Sequence, residues 1–161
     1  MTVRWPWMAI VWALVVSACG FHLQGKQPLP KVLASTWIET RNDQTEFVHA
    51  LRAGLASAGS VAASRTDATA VVDISVDELR ERVVSVSADN LPREYELTYL
   101  VRFAVSSGGV VVLEPREVSV AREFSYDERI ALAKEREREQ LSDALAREAA
   151  SRVLRQLASL Q

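Results

Sequence analysis

The clearest pattern in the chain is an alternation of apolar and polar side chains over residues 94–105. One parity is apolar throughout: Tyr95, Leu97, Tyr99, Val101, Phe103 and Val105. The other parity includes Glu94, Glu96, Thr98 and Arg102. Because successive side chains of a strand point to opposite faces, this pattern predicts a half-buried β-strand with Phe103 inside and Arg102 outside.

Three weaker patterns predict further strands. Residues 33–40 are rich in β-branched and aromatic side chains, which suit a pleated surface. A second strand begins near Thr69 and alternates until residues 78–80, where a faltering pattern predicts a bulge or bend. After the turn at Gly108-Gly109, a strand over residues 110–124 is interrupted near Pro115, because proline lacks a ladder donor.

Two stretches have helical spacing instead. In residues 45–58 the apolar positions recur every three or four residues, Asp43 or Thr45 can cap the start, and Gly59 can end the helix. A longer helix over residues 131–159 has one apolar stripe: Leu141, Leu145, Ala149, Val153, Leu157 and Leu160. Ser125 and Glu128 fit a capping box before it. The predicted fold is therefore α+β, a four-stranded, mostly antiparallel sheet against two helices in the order β-α-β-β-β-α.

The N-terminal apolar run has a different character. Residues 8–18 carry no charge, but they are too few to span a bilayer, and they end in small residues directly before Cys19. A short apolar core with a small-residue end is typical of a secretory signal peptide. The cysteine after it resembles a bacterial lipobox, which predicts a covalent lipid on Cys19. Gly20, in place of aspartate, favours the outer membrane.

These patterns divide the chain into a signal peptide (1–18), a lipidated tether (19–32) and one domain (33–161). The chain has 161 residues and a formal net charge of −2. A weakly acidic domain is a poor match for nucleic acid, whose phosphates need an excess of Lys and Arg. Cys19 is the only cysteine, so the domain has no disulfide and must be stabilised by its core.

No catalytic constellation is apparent. The two histidines are His22, in the predicted tether, and His49, beside the apolar stripe of the first helix. They cannot form a zinc site without further Cys or His ligands. Asp73 and Asp77 share a parity on the second strand and are interpreted as its solvated face. We therefore expect a non-enzymatic protein with no metal and no cofactor other than the lipid on Cys19.

Three short stretches resemble the LPS-assembly lipoprotein family, LptE. The first is Cys19-Gly20-Phe21-His22-Leu23, the second is Arg93-Glu94-Tyr95-Glu96-Leu97, and the third is Ala131-Leu132-Ala133-Lys134. Gln24 departs from the basic residue usual in the family. The predicted element order matches the family from residue 19 to the C-terminus.

The resemblance implies a lipid-anchored protein on the periplasmic side of the outer membrane. Such a protein plugs and helps assemble the LptD β-barrel and assists lipopolysaccharide delivery to the outer leaflet. It also implies lipopolysaccharide contacts through basic residues. Lys134 matches one of them directly; Ala88 occupies the other position, and Arg93 is its candidate substitute.

Each of these expectations has an alternative. Lys134 is also interpretable as an ordinary helix lysine paired with Glu135 or Glu137. The whole chain is also compatible with a free-standing envelope lipoprotein that binds lipid or serves as an auxiliary transporter subunit. We also expect residues 89–93 and the start of the last helix to lie at the same end of the domain, where Arg93 and Lys134 could form one small basic patch.

Overall fold

A computed structural model describes residues 29–88, 90–126 and 130–160. A short 3₁₀ turn, Lys31–Leu33, precedes the first strand. The remaining elements follow in chain order: β1 (Thr36–Thr40), α1 (Glu46–Ser57), β2 (Ala70–Val86), β3 (Pro92–Ser107), β4 (Val110–Ser125) and α2 (Ala131–Ala158). The predicted α+β class and element order are confirmed.

The four strands form one sheet in the order β1-β2-β3-β4. β1 runs parallel to β2, and the other two pairs are antiparallel. A parallel pair needs a crossover, and α1 supplies it. The first strand begins three residues later than predicted, because Leu33 N donates to Pro30 O at 2.9 Å and closes the 3₁₀ turn.

The core lies between one face of the sheet and the two helices. Its fully buried side chains include Phe47, Leu51 and Leu55 of α1, Leu97, Val101 and Phe103 of β3, and Leu145, Val153 and Leu157 of α2. The predicted alternation on β3 is correct, since Phe103 is buried and Arg102 is exposed. The apolar stripe of α2 is also correct, and Leu141 and Leu160 at its ends are partly buried.

The two helices approach each other closely at Gly54. A side-chain carbon at this position would overlap Leu154 Cδ1. Thr45 caps α1 as predicted, because its Oγ1 accepts a hydrogen bond from Val48 N at 3.2 Å. Gly59 then follows the helix with φ +72°, the conformation that favours glycine after a helix end.

The irregularity in β2 lies earlier than the sequence pattern predicts. The ladder to β3 shifts between Ile74 and Val76, so Ser75 is the extra residue. Beyond this bulge the parity reverses, and Asp77 points toward the helices. There it accepts hydrogen bonds from Tyr99 Oη at 2.7 Å and Thr45 Oγ1 at 2.6 Å. The expectation that Asp73 and Asp77 share a solvated face is therefore wrong.

The β3–β4 hairpin has the backbone that its turn requires. Gly108 and Gly109 have φ of +57° and +81°, as a two-residue turn with two left-handed positions demands. β4 continues past Pro115 as a single strand, and its register shifts opposite Phe103 and Val105. Pro115 is thus accommodated by a bulge on the edge strand, one of the alternatives that the sequence left open.

The sheet face away from the helices is mainly polar. Arg102 pairs with Glu117 at 2.8 Å, and Arg82 pairs with Glu96 at 2.7 Å, both across neighbouring strands. The hydrogen bond with Arg82 is the main cause that lowers the pKa of Glu96 below its usual value. Leu100 is an exception on this face, since only 6% of it is exposed.

The three long strands extend past α1. A strand rises roughly 3.3 Å per residue and a helix roughly 1.5 Å, so α1 is too short to cover β2. At the end of the sheet beyond α1, the first turns of α2 pack over the strands instead. We call this part the distal end: residues 80–88 and 90–95 of the β2–β3 hairpin, residues 124–126, and residues 130–138 of α2.

The start of α2 differs from the predicted capping box. Ser125 is the last residue of β4, five residues before the Ile130 position that precedes the helix. Ile130 makes no side-chain cap. Glu128, the other half of the predicted box, lies outside the described residues. The local sequence motif was overridden because the β3–β4 ladder extends as far as Ser125.

Candidate functional site

A cleft of roughly 370 Å³ opens at the distal end, between the sheet and the first turns of α2. Its lining comes from all three long strands and from the helix: Glu81, Tyr95, Phe124, Tyr126, Lys134, Glu135 and Arg138. These positions are far apart in the chain. They meet because the end of β2, the start of β3 and the end of β4 lie side by side, and α2 folds back over them.

Three aromatic rings form one wall of the cleft. Tyr95 and Phe124 are register partners on β3 and β4, and their rings stack with centroids 5.6 Å apart. Tyr126 meets Tyr95 edge-on, with centroids 5.8 Å apart. Both geometries are favourable for aromatic pairs. Within the described part of the chain, the hydroxyl groups of Tyr95 and Tyr126 have no hydrogen-bond partner, so both can bind a ligand.

Charged side chains from α2 form the opposite wall. Arg138 Nε donates to Glu81 Oε2 at 2.6 Å and thereby links α2 to β2, while its Nη1 lies 3.3 Å from Glu135 Oε1. The hydrogen bond with Glu81 is the main cause that raises the pKa of Arg138. The guanidinium is therefore a permanent cation with two carboxylate neighbours.

Lys134 is also already paired. Its Nζ donates to Glu137 Oε2 at 2.8 Å and lies 3.4 Å from Ser125 Oγ. Only 13% of its side chain is exposed, which is low for a lysine on the first turns of a helix. The pairing with Glu137 agrees with the interpretation of Lys134 as an ordinary helix lysine. Its low exposure in the cleft differs from that interpretation, which implied a solvent-exposed side chain.

Arg93 lies at the same end of the domain. Tyr126 N donates to Arg93 O at 2.8 Å, and Ser125 contacts Lys134, so one short segment joins the two basic residues. For the described residues 90–93, the predicted position at the same end as the start of the last helix is therefore correct. The Arg93 side chain is exposed and forms no ion pair with any residue that the structure describes.

Several lining residues were not identified as a site from the sequence. Tyr95 was assigned to the core face of β3, and Phe124 to the end of β4, but their pairing depends on the register between the two strands. Glu81 and Arg138 are separated by 57 residues. A usable sequence signal was the cluster of aromatic residues near the ends of two predicted neighbouring strands.

Other predicted features lie elsewhere or outside the described residues. Cys19, Gly20 and His22 fall before residue 29. The end of the predicted tether is ordered, and Leu29 and Val32 pack against the core. His49 is exposed on α1, as expected. Across residues 29–88, 90–126 and 130–160, histidine and acidic side chains nowhere gather in a group of three that could hold a metal ion.

Neither helix in this described part of the chain has an apolar stretch long enough to cross a bilayer. Comparison with known families gives a direct match: the model of LptE, described as lipopolysaccharide-assembly, matches residues 33–157. The matched region covers far more than half of the chain. The chain belongs to the LptE family.

Two proteins named LPS-assembly lipoprotein LptE are similar over most of their length. The protein from Pectobacterium atrosepticum is 26% identical over 150 residues, covering 91% of this chain and 80% of the relative. The protein from Yersinia enterocolitica is 29% identical over 147 residues, covering 89% and 70% respectively. The LptE resemblance noted in the sequence is confirmed.

Solved structures share the fold. The rare lipoprotein B from Shewanella oneidensis is 28% identical, with a TM-score of 0.68, and the match covers 78% of this chain and 94% of that one. The lipoprotein B from Nitrosomonas europaea has a TM-score of 0.71 at 22% identity, covering 87% and 91%. The second likeness concerns the fold alone.

Proposed function

We propose that this LptE-family protein is an outer-membrane lipoprotein that plugs the LptD β-barrel, helps the barrel assemble and assists lipopolysaccharide delivery to the outer leaflet. The observation that carries the proposal is the family match over residues 33–157, in a chain whose relatives are named LPS-assembly lipoproteins. A lipid on Cys19 anchors the protein on the periplasmic side. The role is non-enzymatic and needs no cofactor beyond that lipid.

The shape and polarity of the domain support this role. A wide β-barrel has a polar, water-filled lumen that a folded domain can occupy. The helix-free sheet face offers ion pairs such as Arg102–Glu117 to such a wall. The contact with the barrel is spread over a large area, so single surface changes are expected to leave it intact.

Co-purification distinguishes this proposal from a free-standing lipoprotein. A tagged chain, extracted in mild detergent, should bring down a β-barrel protein in equal amount. If it is recovered alone under conditions that preserve other outer-membrane complexes, the plug role is refuted and the free-standing alternative is favoured.

The membrane anchor has its own test. Cys19→Ala should abolish metabolic labelling with palmitate and leave a precursor or an unanchored form, because the acylated atom is the cysteine sulfur. Cys19→Ser is the matched control for side-chain size and should behave in the same way. Fractionation that places the mature wild-type protein only in the inner membrane would contradict the proposed location.

For lipopolysaccharide, we assign the charged contacts to Arg93 and Lys134. Arg93 is exposed and without an ion pair among the described residues, so it is available to a phosphate group. Lys134 Nζ has three donors and uses two, on Glu137 Oε2 and Ser125 Oγ, so one remains for a further contact. The exposed contact of Arg93 is expected to be weak by itself and to be screened by salt.

The double variant Arg93→Glu/Lys134→Glu should weaken lipopolysaccharide binding while the barrel still co-purifies. Arg41→Glu/Arg116→Glu is the matched control, because both arginines are exposed and have no ion pair within the described residues. Circular dichroism checks that each variant is folded. Equal losses in both variants would show a general charge effect, and unchanged binding at low and moderate salt would remove Arg93 and Lys134 from the site.

A further inference from the structure

We propose that the distal cleft binds a sugar ring of the glycolipid, and that Arg93 binds a phosphate group outside it. This inference rests on the proposed function, because it names the part of the ligand that one site recognises. It concerns Tyr95, Tyr126, Arg138 and Glu81. Of the two basic residues assigned above to the charged contacts, Lys134 lines the cleft and Arg93 is not part of its lining. The ligand class is a neutral, hydroxyl-rich pyranose.

The charges in the cleft argue against a phosphate ligand. Lys134 and Arg138 contribute two positive charges, while Glu81 and Glu135 contribute two negative charges to the same lining. Glu137, which accepts from Lys134, adds another carboxylate beside it. A phosphate in the cleft would meet these carboxylates and would compete with the 2.6 Å contact between Arg138 and Glu81.

The same groups are suited to hydroxyl groups. A hydroxyl both donates and accepts, so it can donate to a carboxylate and accept from a guanidinium or an ammonium at the same time. Arg138 and Glu81 lie in contact and present one donor set and one acceptor set side by side. A ligand with adjacent hydroxyl groups can use both without breaking their ion pair.

The aromatic wall supplies the other requirement of a sugar site. Tyr95 and Tyr126 are only partly buried, so ring surface remains accessible in the cleft. A pyranose has one face of C–H groups, and this face can stack on an aromatic ring while its hydroxyl edge turns to polar groups. The hydroxyl groups of Tyr95 and Tyr126 have no hydrogen-bond partner within the described residues. The cleft volume, roughly 370 Å³, is at the lower end of the range for small-molecule sites.

This arrangement separates two kinds of contact along the distal end. The sugar ring lies between the aromatic wall and the Arg138–Glu81 pair. Arg93 lies beside Tyr126 through the backbone contact and is exposed to solvent, so a phosphate attached to the sugar can reach it outside the cleft. Sugar binding should therefore depend weakly on salt, and phosphate binding should depend strongly on it.

The test uses the full processed lipoprotein in detergent micelles and saturation-transfer NMR. The probe is N,N′-diacetylchitobiose, a neutral glucosamine disaccharide, with inorganic phosphate as the competitor. We expect transfer to the C–H protons of the sugar, undiminished by phosphate. Tyr126→Leu and Arg138→Gln should each reduce the signal at least fivefold. Absence of transfer with the wild type, or displacement by phosphate, overturns the proposal.

Matched variants separate binding from folding. Tyr126→Phe keeps the ring and should retain most of the signal, whereas Tyr126→Leu keeps only the bulk. Arg147→Gln is the control for Arg138→Gln, because Arg147 lies on the same helix and pairs with Glu46 at 2.8 Å, away from the cleft. Equal losses in Tyr126→Phe and Tyr126→Leu, or in Arg147→Gln and Arg138→Gln, contradict a stacking site.

Intact lipopolysaccharide distinguishes this proposal from the proposed function. If Arg93→Glu weakens lipopolysaccharide binding but Tyr126→Leu/Arg138→Gln does not, the charged contact of Arg93 stands and the sugar site is overturned. If both variants weaken it, and only Arg93→Glu changes its salt dependence, the separation of sugar and phosphate contacts is supported. Failure of the wild type to co-purify with a barrel bears on the plug role and leaves the disaccharide result unaffected.

Discussion

The packed half of the domain and its distal end are built from the same strands but differ in what covers them. Under α1 and the C-terminal half of α2, side chains such as Phe103 and Val101 are fully buried. On the distal part of the same sheet, Val83 is 46% exposed and Val86 is 54% exposed. β2 and β3 remain paired in this part, although the register shifts between Val83 and Val86, and α1 no longer covers them.

This difference suggests a division of roles: the packed half stabilises the fold, and the distal end is available for binding. Burial of apolar surface concentrates in the packed half, which should resist opening most strongly. The distal end has fewer buried apolar side chains and an open cleft. Its side chains are therefore free to serve recognition, and substitutions there should alter binding with little cost in stability.

The largest effect should come from Phe103→Ala in the packed half. Removal of a fully buried ring leaves a cavity and should lower the free energy of unfolding by about 3–5 kcal/mol. Val86→Ala at the distal end should cost about 0.5 kcal/mol or less, because the side chain is half exposed. Urea denaturation of both variants measures the contrast directly.

Arg102→Ala is the control within β3 itself. Arg102 adjoins Phe103 but lies on the other face, where its exposed pair with Glu117 is expected to contribute about 0–1 kcal/mol. Equal and small losses for Phe103→Ala and Arg102→Ala would contradict the strand register. A large loss for Val86→Ala would contradict the distinction between the two regions.

A smaller effect is expected from Tyr99→Phe, at the side of the core where Asp77 receives its two hydrogen bonds. The change removes one donor from a carboxylate and should cost about 1–2 kcal/mol at neutral pH. Thr45 still donates to Asp77, which limits the loss. Urea denaturation of both proteins at pH 7 measures this change in unfolding free energy.

The difference in unfolding free energy between wild type and Tyr99→Phe should depend on pH. Burial, and then the hydrogen bond with Asp77, raise the pKa of Tyr99 above its ordinary value of 10.0. The folded state therefore favours the neutral hydroxyl, and its stabilising contribution is complete below pH 10 and lost as the pH rises further. The difference in unfolding free energy between wild type and Tyr99→Phe should be constant from pH 7 to 9.5 and shrink above pH 10. A constant difference up to pH 11 would refute this.

The smallest effect is expected from Arg138→Gln at the distal end. The pair with Glu81 is about one-third exposed on each side, so its loss should cost less than about 1 kcal/mol and should shrink with added salt. Thermal unfolding at low and high salt measures this. A loss comparable to that of Phe103→Ala would mean that the distal end is part of the cooperative core.

Much of the packed half was predictable from the sequence because its signals are local. The two-residue period of β3 identified Phe103 and Val105 as core residues, and the helical period identified the stripe of α2. Thr45 was predictable as a cap because the residue types that cap helices are few. Each of these inferences depends only on the geometry of one element.

Other features were less predictable because they depend on how elements meet. A one-residue bulge at Ser75 reverses the faces of the following residues as far as Val83, and only the ladder to β3 locates that bulge. Asp77 was consequently assigned to the wrong face. The capping motif at Ser125 failed for a similar reason, because strand pairing with Glu94 holds Ser125 in β4.

The sequence by itself determined the fold class, the element order, the core faces of β3 and α2, and the family. Only the tertiary structure decided that Arg138 pairs with Glu81, that Tyr95 stacks on Phe124, and that Lys134 is enclosed beside them. The physical reason is the distance along the chain over which each kind of signal acts. Periodicity reports how one segment is buried, whereas a site made from four segments depends on strand register and on the path of a helix across the sheet.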